Sequence, residues 1–316
     1  MRVPKRAVLA AAILVLVACG GGGTTSTTPT EEAAKSSLVM AFVPSQNAQT
    51  VLTSAKPITD YLGKEIGATI TPQVPTSYAA VAEGMTSNLV DSAWVGPLDY
   101  VIGHQVNGSE PMTKSVRKGV AGYNSFIIAR KGTGINSIKD LKGHSFAFGD
   151  VISASSNLYP KYWMKQNGID PDKDLSKSVN ISNQTAVALA VCNGQVDAGA
   201  IYDDARTNAG ADTACPGIMD KTQVIFTTPQ LIPGDPQIVR HQMNSAQKKK
   251  LTDAMIKLGS DPSMSQYLKA LFTIEKLVPA QDSDYQQIRD VVKGVAPDLL
   301  KGYPAASPTP SPSKSP

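Results

Sequence analysis

Histidine and cysteine are scarce in this sequence, with three of each among 316 residues. His104, His144 and His241 stand far apart and none is close to a cysteine, so no metal-ligand spacing exists. A G-x-S-x-G nucleophile elbow is missing, and no Ser/His/Asp set stands out, which argues against a secreted α/β hydrolase. Charge is thin as well: charged residues make up 18% of the chain and the net charge is +4. The basic residues are scattered, and the one run, Lys248-Lys249-Lys250, falls in a helix-like stretch and reads as a solvated face. Nothing here describes a nucleic-acid partner, and no cofactor is implied.

The ends of the chain carry an address. Arg2, Lys5 and Arg6 precede an apolar run over 7–18. That run is shorter than the roughly 20 residues needed to span a bilayer, but it suits the apolar region of a signal peptide over 1–18. Leu16-Val17-Ala18-Cys19 resembles a bacterial lipobox, in which Cys19 would be lipidated and become the mature N-terminus. Residues 19–36, opening with Cys19 and four glycines and rich in threonine, read as a flexible tether. Residues 304–316 are mostly Pro and Ser and read as a disordered tail. The expected location is extracytoplasmic, held to the membrane by lipid. In an oxidising compartment Cys192 and Cys215 are expected to form a disulfide.

Between these ends, short apolar segments alternate with helical periodicity. Strands are expected over 38–43, 68–74, 89–95 and 126–130, with helices over 50–66 and 77–88. The rhythm restarts with strands over 145–148, 178–181 and 196–201 and helices over 157–167 and 184–193. Residues 245–300 read as mostly helical, with little strand potential. The expected class is α/β with mostly parallel sheets. Domain 1 is expected over 37–130 and 232–303, and domain 2 over 131–231. Crossings near 129–131 and 228–233 would make a two-segment hinge, with ligand in the interdomain cleft outside the strand ends. A rigid two-domain enzyme would show the same rhythm.

The most informative stretch is Asp150-Val151-Ile152-Ser153-Ala154-Ser155-Ser156, which follows a strand and opens a helix. The first amides of a helix have no intrahelical acceptor and carry partial positive charge, so they form an anion site without a cationic side chain. Hydroxyls on Ser153, Ser155 and Ser156 add donors beyond what one N-cap requires.

Together with Pro160, this stretch resembles the D-P-x-S-x-S-G-x-x-x-P segment of the phosphate/phosphite/phosphonate-binding proteins of ABC transporters, with Val151 in place of Pro and Ser156 in place of Gly. Further segments agree in order. They include Asp91-Ser92-Ala93-Trp94-Val95-Gly96-Pro97, Gly122-Tyr123-Asn124-Ser125-Phe126, Asn193-Gly194-Gln195-Val196-Asp197 and Ile232-Pro233-Gly234-Asp235-Pro236. The resemblance spans about 45–240. It implies a hinged, type II periplasmic-binding-protein-like fold and a monomeric solute-binding lipoprotein. Such a protein captures a small phosphorus oxyanion and delivers it to an ABC permease; presentation of the anion to a membrane sensor is the alternative. The implied ligand contacts are Ser153, Ala154 and Ser155, with Tyr78 and Tyr123 closing from domain 1 and Asp235 completing the site. Gln184 stands where the family usually has His, which removes one possible cation. An ionised Asp235 accepts hydrogen bonds but cannot donate, so it is expected to favour an anion that still carries O–H and to disfavour sulfate. The acids Asp203 and Asp204 are expected to cap a helix or pair with Arg206, with contact to the amine of an aminophosphonate as the alternative.

Overall fold

A computed structural model describes residues 32–302. The expectations for the signal peptide, Cys19 and the Pro/Ser tail, and most of the expected tether, lie outside the described residues. Among those residues, no helix is long and apolar enough to cross a membrane.

The chain builds two mixed sheets and a short ribbon. The first sheet uses β1 (Ser37–Phe42), β2 (Thr69–Gln73), β3 (Ser92–Trp94) and β4 (Glu110–Val116). The chain then passes through β5 (Gly122–Tyr123) to the second sheet: β6 (Ser125–Arg130), β7 (Ser145–Phe148), β8 (Lys177–Asn180), β9 (Ala198–Tyr202) and β10 (Thr222–Thr227). It returns through β11 (Ile232–Pro233) to β12 (Pro236–Val239) and β13 (Lys276–Pro279). The strand orders are β13-β4-β12-β3-β1-β2 and β10-β6-β9-β7-β8.

Both sheets share one plan. Three mutually parallel strands, β2-β1-β3 or β8-β7-β9, are linked by crossover helices. A strand arriving from the other half of the sequence then adds antiparallel, β12 beside β3 and β6 beside β9. The sheets are therefore more mixed than the alternating pattern predicts.

Three expectations are corrected by this topology. Residues 126–130, expected to end domain 1, form β6, which is hydrogen-bonded between β9 and β10 of the second sheet. The first crossing thus lies at Asn124, ahead of the expected position. β4 is a strand that the pattern does not predict, because its inward positions are polar: Thr113 and Ser115 are fully buried, and Thr113 Oγ1 donates to Gln237 Oε1 at 2.8 Å. β13 falls in the stretch read as helical; it pairs with β4 over only four residues.

The two crossings are tied to each other. β5 and β11 pair antiparallel, Tyr123 opposite Ile232 and Gly122 opposite Pro233. Just beyond, Gly234 packs so closely on β4 that a Cβ would sit 2.2 Å from the Ser115 carbonyl oxygen. Only glycine fits there, and this close approach fixes where Asp235 leaves the ribbon.

The largest apolar core lies about the first sheet, and Ile152, Ala154, Leu158 and Tyr159 from the serine-rich segment join it. Two smaller cores cover the faces of the second sheet. Cys192 and Cys215 are joined by a disulfide that ties the helix Gln184–Cys192 to the segment before β10.

Candidate ligand-binding site

Strand ends of the two sheets face each other across a cavity of about 40 Å3. One water needs roughly 10–15 Å3 by the same measure, so the space suits a compact ligand. β3 delivers Trp94 and β9 delivers Tyr202, each at its C-terminal end; the turn after β7 delivers Ser153, and the connection after β8 delivers Gln184. Ligands of open α/β sheets bind at this position.

Ser153 is the N-cap of the helical segment, with extended backbone at φ −77°, ψ 128°. Its Oγ accepts from the Ser156 amide at 3.3 Å and from Ser156 Oγ at 2.8 Å. The first turn, Ala154–Leu158, is wide, with π-type hydrogen bonding, and runs directly into the α-helix Tyr159–Gln166. Residues 154–166 thus form one continuous helical segment whose start faces the cavity at Ser153, Ala154 and Ser155. Ser125 Oγ donates to the Ser155 carbonyl at 2.5 Å and anchors this turn from β6.

Gln184 opens the helix Gln184–Cys192 and is 3% exposed. Its Oε1 accepts from the Tyr202 amide at 2.7 Å, which orients Nε2 toward Ser153 Oγ, 3.5 Å away. The side chain is therefore locked, with its donor end on the serine cluster.

Tyr78 begins the helix Tyr78–Thr86, capped by Ser77, and its amide lies 3.5 Å from Asp150 Oδ2 across the cleft. Tyr123 enters from the ribbon with the Arg117 guanidinium 5.3 Å over its ring. Burial pushes the hydroxyls of both tyrosines well above their ordinary range, and that of Tyr202 up to about 12. For Tyr123, the negative charge of Asp235 adds to the rise and Arg117 opposes it. These phenols stay protonated at physiological pH and keep an O–H to donate.

All eight residues predicted for the site fall in this region, and all but one line the cavity. Ser156 does not: its hydroxyl bonds Ser153 and fills the space over Gly149, where a Cβ would come within 1.8 Å of it. Its side chain supports the turn and does not reach the cavity wall in this structure.

The residue that sequence reasoning missed is Arg117. It is 9% exposed and lines the cavity beside Tyr123. Nη2 bonds Asp235 Oδ2 at 2.6 Å and Nε donates to the Phe272 carbonyl at 2.8 Å, while Nη1 is buried without an acceptor. Trp94 Nε1, at the same cavity, also lacks an acceptor. Arg117 and Val120 exchange backbone hydrogen bonds around Lys118-Gly119, both at positive φ, so a tight two-residue turn aims Arg117 inward. The Lys118-Gly119 pair is the signal that could have found it, but the β4 sequence before it does not read as a strand.

The remaining acids are also occupied. Asp203 lines the cavity and pairs with Lys118 at 2.7 Å. Asp204 is gripped by Arg206 through Nε and Nη2, the shortest contact being 2.6 Å, and it does not line the cavity. Two of the alternatives for this acid are present together: it pairs with Arg206, and its Oδ1 caps the short helix Ala205–Thr207 by accepting from the Arg206 amide at 3.1 Å. Among the described residues, no group of three His, Cys, Asp or Glu side chains is placed to hold a metal ion.

Comparison with known proteins converges on one family. The model described as "ABC transporter, phosphonate, periplasmic substrate-binding protein" matches residues 40–285. A phosphonates-binding periplasmic protein of Escherichia coli (strain K12) is 28% identical over 242 residues, 75% of this chain and 70% of that protein. A phosphate-import protein, PhnD, of Mycolicibacterium smegmatis is 31% identical over 178 residues, 53% of this chain and 55% of that protein. Among solved structures, a binding protein of an ABC phosphonate transporter from Pseudomonas aeruginosa superposes with a TM-score of 0.74 at 27% identity. That match covers 81% of this chain and 85% of the other. A Prochlorococcus marinus protein solved with methylphosphonate gives a TM-score of 0.73 at 21% identity, over 82% and 97% of the two chains, and so shares the fold.

Proposed function

We propose that this chain, which belongs to the family of periplasmic substrate-binding proteins of phosphonate ABC transporters, captures a small phosphorus oxyanion (phosphonate, phosphite or phosphate) for import. The carrying observation is the pairing across one small cavity of a serine-lined helix start, Ser153 to Ser155, with the protonated phenols of Tyr78 and Tyr123. Helix-start amides and hydroxyls bind oxyanions without ion pairing. Phenols from the opposite sheet complete a shell of donors. The names of the relatives, phosphonate binding in one and phosphate import in another, support the same ligand class.

In this reading the sheets belong to two lobes hinged at the β5–β11 ribbon. The open form admits the anion to the second lobe, and closure brings Tyr78 and Tyr123 over it. Closure excludes water and strengthens each hydrogen bond to the oxyanion. The closed form docks on a membrane permease, and a lipid on Cys19 keeps the monomeric protein beside it.

A thermal-shift series against phosphate, phosphite, methylphosphonate and sulfate tests the class. A ligand that binds only the folded state raises the midpoint with the logarithm of its concentration over Kd. A large shift with at least one phosphorus anion is expected; no shift with any of them overturns the reading.

A further inference from the structure

We propose that Arg117 is a ligand-specificity residue. Its guanidinium cancels Asp235 and supplies a further donor, so the site takes a phosphorus oxyanion without an ammonium group and disfavours an aminoalkylphosphonate. This rests on the oxyanion reading above and narrows its ligand class.

The two carboxylates that line the cavity, Asp235 and Asp203, are both paired with cations. An amine-bearing phosphonate needs a carboxylate free to accept from its ammonium. Asp235 is held by Arg117 at 2.6 Å in a pair whose cation is 9% exposed. Asp203 is held by Lys118, and Asp204 is turned away onto Arg206. Lys118 is exposed, so its pair is weak and an incoming ammonium could displace it. Arg117 cannot be displaced so easily, because its Nε is also fixed to the Phe272 carbonyl and its guanidinium lies over the Tyr123 ring. An ammonium beside Asp235 would therefore sit next to a buried guanidinium, and like charges in contact repel strongly where water is excluded.

The second observation is the unmet hydrogen-bonding capacity. Nη1 of Arg117 is buried and has no acceptor, and neither has Trp94 Nε1. Leaving a buried charged donor unpaired is costly. An oxyanion beside Arg117 would offer the guanidinium an acceptor and would regain for the site the cation that Gln184 does not provide. An ammonium supplies only donors and offers the guanidinium nothing to bond.

The test is calorimetric titration of the purified full chain with phosphate, methylphosphonate and 2-aminoethylphosphonate. Phosphate or methylphosphonate is expected to bind at least about tenfold more tightly than 2-aminoethylphosphonate. Arg117→Gln should weaken the amine-free ligands by about tenfold or more and shrink that preference. Because Arg117→Gln leaves Asp235 without its partner, the paired variant Arg117→Gln/Asp235→Asn serves where the single change fails to fold, and it should show the same loss. Equal affinity for methylphosphonate and 2-aminoethylphosphonate in the unmodified protein overturns this inference and leaves the oxyanion reading standing. Unchanged affinity for amine-free ligands in the paired variant overturns it as well. No binding of any of the three overturns both.

Discussion

The two walls of the cavity are made of different chemistry. The wall from the second sheet is built on neutral donors, Ser153, Ala154 and Ser155 at a helix start backed by Gln184, and its one lining acid, Asp203, is paired with Lys118. The wall from the first sheet and the ribbon carries full charges, Arg117 and Asp235 in contact, with Tyr78, Tyr123 and Trp94 around them. Helix-start amides and hydroxyls rotate or point to suit any tetrahedral oxyanion. A fixed ion pair presents a fixed pattern of donor and acceptor, and an unsuitable ligand leaves one of them unpaired. On the proposed function, the helix-start wall sets the anion class, and the charged wall sets which member of the class is kept.

The largest expected effect breaks the helix-start wall. Ser153→Ala with Ser155→Ala removes two hydroxyl donors; hydrogen bonds to a charged group contribute about 1.5–3 kcal/mol each. Calorimetry should show a loss of about a hundredfold or more, nearly equal for phosphate and methylphosphonate. A loss confined to one ligand would contradict the division of labour between the walls.

Next in size is a change in the frame behind that wall. The disulfide Cys192–Cys215 closes a loop with a sequence separation of 23 residues and anchors the helix that Gln184 opens. A loop of that length is stabilised by about 3 kcal/mol. Replacing both cysteines by serine should lower Tm markedly in thermal unfolding while the affinity of the folded protein stays within about twofold. A large affinity loss at a temperature where the variant is folded would mean that the frame tunes the site.

A smaller effect tests the charged wall. Asp235→Asn keeps the shape, removes one acceptor and frees a guanidinium that now faces the ligand uncompensated. Sulfate, which brings no proton, should gain by about tenfold relative to phosphate in competition titrations. A variant that still rejects sulfate as strongly as the original would place the discrimination elsewhere.

The same contrast separates the features that are legible in the sequence from those that are not. Ser153 and its neighbours are readable because N-capping is local chemistry: a strand, a polar turn and a helix start lie within a dozen residues. The order of elements and the positions of Tyr78, Tyr123, Gln184 and Asp235 follow from segments that resemble known ones. Arg117 is not readable. It becomes a site residue only because β4 pairs with β12, which brings it to Asp235 across 118 positions of sequence. β4 itself hides behind buried Thr113 and Ser115, which carry no apolar alternation. Ser156 misleads for the opposite reason: its composition suits an anion site, but the space over Gly149 claims its side chain. The sequence pattern puts β6 in the wrong half because a strand's partner is not local information either.

The smallest expected effect concerns Asp99, a buried acid outside the cavity lining. It sits in the first turn of the helix Pro97–Asn107, is 2% exposed, and its Oδ2 has no partner. Burial holds its carboxyl well above the ordinary carboxylate range, and the negative charge of Asp150 at the root of the serine turn adds to the rise. A carboxyl whose pKa is raised by folding binds its proton more tightly folded than unfolded. Its favourable contribution is then complete below the unfolded value, near about 3.9, and is lost as pH rises through the folded value. Asn cannot ionise and escapes that loss. Asp99→Asn should therefore match the original protein in Tm at low pH and exceed it by a widening margin as pH rises. A gap that is constant with pH would show that folding does not raise the pKa of Asp99.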